Sequence, residues 1–218
     1  MKPLSAKANN QGITLLEILV VLFLLLILSG ILWPEPSTAR KRAETIACMS
    51  NLKQIDFGFL MYASDNGGKF PMQASSTSGG TMELINRSRT FPQFQKTSKY
   101  LPDLRVLVCP ADKTRAATSN YATLTDSNLS YFLNIDVSTN NPAHSILSGD
   151  RFLQVNGRPI NPGLFILTTN LNMGWTPDRH LGRGNLAFAD GHAEISTKTN
   201  LNAIVQNQPL ATNRLSIP

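Results

Sequence analysis

The hydrophobic pattern of this chain begins with one long apolar run. Residues 13–33 are apolar almost throughout, and Glu17 is the one charged residue among them. At about 1.5 Å of rise per residue, a helix of this length spans the roughly 30 Å hydrocarbon core of a bilayer. The pattern therefore predicts a membrane-spanning helix over 13–33.

A second helical pattern follows. Between residues 39 and 62, apolar side chains recur at spacings of three and four, which places them on one face of a helix. The sequence 66–68, Asn-Gly-Gly, accepts positive φ and ends the pattern. We therefore expect residues 34–66 to continue the first helix, with a bend near Pro34 and Pro36, and to pack one face on a globular head. That predicted face consists of Ile46, Met49, Leu52, Ile55, Phe59 and Tyr62.

Beyond residue 66 the pattern changes to short strands and turns. Segments 104–108, 145–148 and 164–168 have strand composition, whereas 73–80 lacks apolar periodicity and is expected to be an exposed loop. Asn-Gly at 156–157 and Asn-Pro-Gly at 161–163 predict turns. The chain is therefore predicted to be α+β, with residues 67–218 forming a β-rich head built on an antiparallel sheet.

The clearest hairpin signal lies at residues 185–196. Apolar residues alternate on both sides of Asp190 and Gly191, and an Asp-Gly pair in that setting predicts a tight type I′ turn. The tail, 200–218, has one short apolar patch near its start and is expected to be a brief helix or a loop.

Charge constrains the function class. The chain has 20 basic and 14 acidic residues, for a net charge of +6, and without residues 1–12 the balance is 18 to 14. A small surplus spread along the chain does not indicate a nucleic-acid-binding protein. Lys2 and Lys7, with no acid beside them, predict that residues 1–12 are cytoplasmic and that the head lies outside.

Glu17 needs an explanation, because a carboxylate in hydrocarbon costs a few kcal/mol unless it is neutralised. Gly12, Ile13 and Glu17 ahead of the apolar run resemble the type III signal of type IV pilins and type II secretion pseudopilins. That resemblance implies cleavage after Gly12 by a prepilin peptidase, N-methylation of Ile13, and a pilin-like fold. It further implies that Glu17 meets the amino group of a neighbouring subunit during assembly. The alternative is a plain membrane anchor with Glu17 at the headgroups.

A narrower resemblance involves the rest of the chain. Segments 48–55, 61–66 and 109–112 are similar to pilin-like proteins abundant in Planctomycetes and Verrucomicrobia, and so is His180 followed, after nine intervening residues, by Asp190 and Gly191. These motifs lie in the first third, the middle and the C-terminal part of the chain. The last of them is an H-x9-DG motif within the head, 67–218.

Cys48 and Cys109 are the two cysteines of the chain. An even count in an exported protein favours a disulfide, and the alternative is two unpaired thiols packed as small apolar groups. A zinc site is not expected, because there is no second cysteine pair.

Asp190 has two interpretations. The first is turn chemistry alone; the second is a metal or hydrogen-bond cluster with His180, His192 and Asp178. Some secretion pseudopilins bind calcium, but histidine is a poor calcium ligand, so no metal and no cofactor is expected beyond that one precedent. We expect His180 to brace the hairpin through a hydrogen bond.

The sequence has no Gly-rich phosphate loop, no Gly-x-Ser-x-Gly elbow and no His-Glu-x-x-His helix, so an enzyme is not expected. The resemblance implies a structural subunit of a type II secretion pseudopilus. Alternatives are a minor pilin of a type IV pilus and a membrane-anchored extracytoplasmic binding protein that does not polymerise. Expected partners are the prepilin peptidase/N-methyltransferase, other pilin-like subunits and an assembly platform of the inner membrane. The chain would cross that membrane once, with its head periplasmic or extracellular.

Overall fold

The computed structural model describes residues 14–31, 37–141, 143–210 and 212–218, which fall into two compact units, 1–37 and 38–218. The first unit contains helix α1 (Leu15–Ile31), whose residues are apolar apart from Glu17, Ser29 and Gly30. In the parts of the chain that the structure covers, no helix combines the length and the apolar character that a membrane crossing requires. The connection 32–36, where a bend was predicted, lies outside the described residues.

The second unit is the α+β head that the pattern predicts. Its helices are α2 (Ser37–Asp65), α3 (Phe91–Lys96) and α4 (Lys198–Gln206). Its strands are β1 (Tyr131–Asn134), β2 (Ile146–Asp150), β3 (Leu153–Val155), β4 (Arg158–Pro159), β5 (Gly163–Thr168), β6 (Met173–Trp175), β7 (Gly184–Phe188), β8 (Ala193–Ser196) and β9 (Thr212–Ile217).

The strands form two antiparallel sheets. The larger has the order β5-β9-β1-β2-β7-β8, and the smaller has the order β4-β3-β6. The turn between β3 and β4 is the predicted Asn-Gly pair, with positive φ at both Asn156 and Gly157. Strands β2 and β5 occupy the segments predicted for them at 145–148 and 164–168.

Two hydrophobic cores lie on opposite faces of the larger sheet, because alternate residues of a strand point to opposite sides. Leu52, Ile55 and Phe59 of α2 belong to the core that includes Tyr131 and Leu133 of β1. Phe132, between those two β1 residues, belongs to the other core, with side chains of α4 and of the smaller sheet. Helix α2 and helix α4 therefore sandwich the sheet.

The buried face of α2 differs from the prediction in its first turns. Leu52, Ile55, Phe59 and Tyr62 are buried as predicted, but Ile46 is 56% exposed and Met49 is half-buried. Thr45 and Cys48 occupy the core side instead. Thr45 and Cys48 continue the spacing of three and four. The buried face of α2 therefore begins at Thr45, one residue before Ile46, where the apolar pattern had placed its start.

One local prediction was wrong, and two were incomplete. Residues Leu104–Leu107 form a 3₁₀ helix instead of a strand, because the Asp103 carboxylate accepts the backbone N–H of Arg105 and closes a tight turn. The tail contributes helix α4 and strand β9, and β9 pairs with both β5 and β1. Within the predicted loop 73–80, residues Ser76–Ser78 form a short 3₁₀ turn.

Candidate functional site

The first candidate site is the start of α1. The Glu17 backbone N–H donates to the Thr14 hydroxyl at 3.3 Å, so Thr14 caps the helix and Glu17 lies in its first turn. The Glu17 side chain is exposed, as are the large apolar side chains that follow it in the helix. Gly12 and Ile13, predicted as the two sides of the cleavage point, lie outside the described residues. Their roles stay predictions.

Helix α2 also has apolar side chains exposed to solvent. Ile46, Phe57 and Met61 are 56%, 58% and 52% exposed, respectively. The spacing of four between Phe57 and Met61 places them on one side of the helix, away from the residues that pack on the sheet. More than half of each of these three side chains is therefore exposed to solvent in the described part of the head.

The second candidate site is a buried polar cluster between α2 and the larger sheet. Cys48 of α2 is joined by a disulfide to Cys109, which follows the 3₁₀ turn at Leu104–Leu107, with the two Cα atoms 5.1 Å apart. Both cysteines are fully buried. The disulfide therefore ties α2 to the middle of the chain inside the core.

His180 packs against this disulfide. It has a positive φ of 47°, which is unusual for a residue other than glycine and turns its side chain into the head. Its Nδ1 lies 3.0 Å from the Thr45 hydroxyl, which donates its own proton to the Lys41 carbonyl oxygen. Nδ1 must therefore be the protonated nitrogen, and burial lowers the pKa of the imidazole and favours this neutral form.

The other ring nitrogen, Nε2, faces two groups. It lies 3.2 Å from the Cys109 sulfur and 3.5 Å from Asp150 Oδ2. Asn185 donates its backbone N–H and its amide N–H to the same Oδ2, at 2.8 and 2.9 Å, while Asp150 Oδ1 has no hydrogen-bond partner. Burial raises the pKa of Asp150 to about 7.

The H-x9-DG motif contacts α2 at both of its ends. His180 reaches Thr45, and Gly191, with a φ of 88°, packs so close to Leu60 that an added Cβ would lie 3.1 Å from its Cδ1. Strand β7 runs between these ends. The motif therefore contacts α2 on both sides of strand β7.

Two details of the predicted hairpin were wrong. Asp190 does not have positive φ, so the turn is not type I′; the Gly191 N–H closes a turn onto the Phe188 carbonyl oxygen. His180 does not brace the turn either. Asp190 instead accepts from the backbone N–H of His192 and lies beside its ring.

The proposed cluster of His180, His192, Asp178 and Asp190 is not assembled. Asp178 pairs with Arg179, and Asp190 pairs with His192. Across the described parts of the chain, the one group of three or more ligand-type side chains with donor atoms within 4.8 Å of one another is Cys48, Cys109 and His180.

Sequence reasoning missed Thr45, Asp150 and Asn185. Each is a common polar residue with no motif around it. Thr45 and Asn185 are 140 residues apart, yet the Asn185 amide donates to the Thr45 carbonyl oxygen at 3.3 Å. The one signal available was that Thr45 and Cys48 continue the three-and-four spacing of the buried face of α2.

The comparisons with known proteins identify the amino-terminal segment. A family model described as the prokaryotic N-terminal methylation motif matches residues 7–33. This motif is consistent with the prepilin signal of type IV pilin-like proteins, and it includes Gly12, Ile13 and Glu17. No curated protein and no solved structure matches the chain.

Proposed function

We propose that this chain is a pilin-like structural subunit that assembles into a type II secretion pseudopilus. The observation that carries the proposal is the methylation motif at residues 7–33, in which one acid, Glu17, precedes an unbroken apolar run. In this proposal a prepilin peptidase cuts after Gly12, and Ile13 becomes the methylated amino terminus.

The membrane segment of the proposed subunit is residues 13–33. Until assembly, these residues hold the chain in the inner membrane, with residues 1–12 cytoplasmic before cleavage and the head periplasmic or extracellular. The exposed apolar surface of α1 supports this, because such a surface is stable only against lipid or other apolar helices.

In the assembled polymer, Glu17 pairs with the Ile13 amino group of a neighbouring subunit. Each charge then offsets the desolvation of the other, which sets the stagger between subunits. The apolar side of α2, with Ile46, Phe57 and Met61, supplies further contact area outside the membrane. Assembly also requires a platform in the inner membrane and other pilin-like subunits.

Processing is tested by N-terminal peptide mass spectrometry on the membrane fraction. The expected mature chain begins at Ile13 and carries one added methyl group. A chain that still begins at Met1, in cells with an active prepilin peptidase, would contradict the proposal.

Assembly is tested by substitution of Glu17. Glu17→Ala and Glu17→Gln should leave the chain in the membrane but abolish its recovery in sheared or pelleted filaments, since the charge is missing in both. Glu194→Ala, which removes an acid from the head, is the matched control and should assemble normally. Normal assembly of the Glu17 variants would favour an anchored extracytoplasmic binding protein.

The kind of filament is decided in cells that lack this chain. Loss of secreted proteins with intact surface pili is expected for a pseudopilus subunit. Loss of pili with intact secretion would instead identify a subunit of a type IV pilus.

A further inference from the structure

We infer that the dithiol form of this protein contains a buried site for a borderline-soft divalent cation such as Zn²⁺, with Cys48, Cys109 and His180 as its ligands and the Asp150 carboxylate next to His180. Oxidation of the two thiols to the disulfide abolishes the site. The inference concerns the head alone and does not depend on the proposed function.

The ligand chemistry fits such a cation. Two thiolates and one imidazole nitrogen are typical ligands of tetrahedral Zn²⁺, and here the three donor atoms lie within 4.8 Å of one another. All three residues and Asp150 are buried, and Asp150 Oδ1 has no hydrogen-bond partner. An unpaired carboxylate oxygen in a core is costly, and a cation bound nearby would reduce that cost.

Distances agree for the sulfur and the imidazole. With ordinary Zn–S and Zn–N bond lengths, a tetrahedral ion separates these two ligand atoms by about 3.6 Å, and Cys109 Sγ lies 3.2 Å from His180 Nε2. Once the two sulfurs are no longer bonded to each other, they must separate to about 3.8 Å to share the ion. Asp150 Oδ2 lies 3.5 Å from Nε2 and places a carboxylate beside the site.

Neighbouring groups orient His180 and Asp150. A metal-binding histidine donates its other N–H to a fixed acceptor, which leaves the ligating nitrogen unprotonated. Thr45 is that acceptor for His180, because its hydroxyl proton is already donated to the Lys41 carbonyl oxygen. Asn185 holds the Asp150 carboxylate with two N–H groups. His180 is thus aligned without the ion, and the Asp150 carboxylate is held in place next to it.

A surface cavity of about 270 Å³ has His180 and Thr45 in its wall, with Arg42 and Arg183 beside them. An ion can therefore approach the cluster from this side when the head opens locally or while it folds.

The disulfide and the metal exclude each other. When a glutathione disulfide oxidises the site, the two cysteine thiolates supply two electrons and become joined, two glutathione thiolates are released, and the cation leaves. The metal-bound form is accordingly the one expected under reducing conditions.

The test uses the full chain in detergent, reduced in denaturant and refolded anaerobically with Co²⁺ as a spectroscopic substitute for Zn²⁺. One equivalent of Co²⁺ should bind, with thiolate-to-cobalt charge transfer and the visible bands of a tetrahedral site. His180→Gln removes a ligand and should weaken binding at least tenfold, whereas Asp150→Asn removes only a neighbouring charge and should weaken it less. Thr45→Val, behind the ligands, should weaken it roughly 10- to 100-fold.

Two controls make the result specific. His144→Gln removes an exposed histidine from the same head and should bind Co²⁺ as the unsubstituted chain does. The oxidised chain should bind none. The inference is overturned if the reduced chain, folded by circular dichroism, binds no Co²⁺, or if its bound Co²⁺ shows no thiolate charge transfer.

A second measurement applies if a variant misfolds. One equivalent of Zn²⁺ should slow the reaction of oxidised glutathione with the unsubstituted reduced chain at least tenfold. An unchanged rate would also overturn the inference.

Discussion

Removal of the disulfide is the change whose effect on stability can be worked out most directly. Cys48 and Cys109 are 61 residues apart in sequence, so their bond closes a long loop in the unfolded chain. In the chain-entropy model a loop of this length stabilises the folded state by about 4 kcal/mol at 25 °C. We therefore expect the double variant Cys48→Ala, Cys109→Ala to lose about 4 kcal/mol of unfolding free energy.

The assay is urea unfolding of the full chain in detergent, with a chelator present, followed by the fluorescence of Trp175. This side chain is buried in the head and becomes exposed on unfolding. The unsubstituted chain is measured both oxidised and reduced. Because the reduced chain keeps both sulfurs in the core, its difference from the double variant isolates the packing of the sulfur atoms.

Two results are expected together. The reduced chain should lose most of the 4 kcal/mol, and the double variant should lose only a little more, since Ala fills less space than Cys. If the oxidised and reduced chains unfold within about 1 kcal/mol of each other, the loop-closure account of this bond is refuted.

Two further changes address the interior of the head, one next to α2 and one on the opposite face of the larger sheet. Burial raises the pKa of Asp56 well above its ordinary value, although Ser148 donates to it at 2.8 Å, so the folded state keeps a proton that the unfolded state releases. The contribution of Asp56 to stability should be greatest below the unfolded pKa of about 3.9 and should fall as pH rises towards the folded pKa, by up to about 1.4 kcal/mol per pH unit. Asp56→Asn should flatten this slope in urea titrations repeated across pH, and an unchanged slope would count against the assignment. Gly184→Ala would place a Cβ 2.3 Å from the rigid Trp175 ring and should lower the unfolding free energy by about 1–3 kcal/mol. Gly174→Ala is the control, because its Cβ would meet a flexible glutamine side chain and should cost less. Equal losses of stability for the two variants in thermal unfolding would contradict the clash.

Local sequence patterns predicted those elements whose cause is itself local. The spacing of Leu52, Ile55, Phe59 and Tyr62 identified most of the buried face of α2, and Asp190 with Gly191 identified a hairpin. The same reasoning failed at Ile46, because the core accepts Thr45 and Cys48 at that level of the helix. It also failed for β9, since the two strands that flank β9 are distant in the chain and no local signal specifies them.

The sequence by itself determined the amino-terminal segment and the α+β class. The amino-terminal motif is a run of apolar residues with one acid at a set distance from a glycine. All of these residues are close neighbours in the chain, so the motif can be recognised without knowledge of the tertiary structure. The buried cluster was decided only by tertiary structure. Thr45, Cys109, Asp150 and His180 come together because β2 and the segment before β7 pack on α2, and contacts across up to 135 residues of chain depend on that packing, not on any pattern of neighbours.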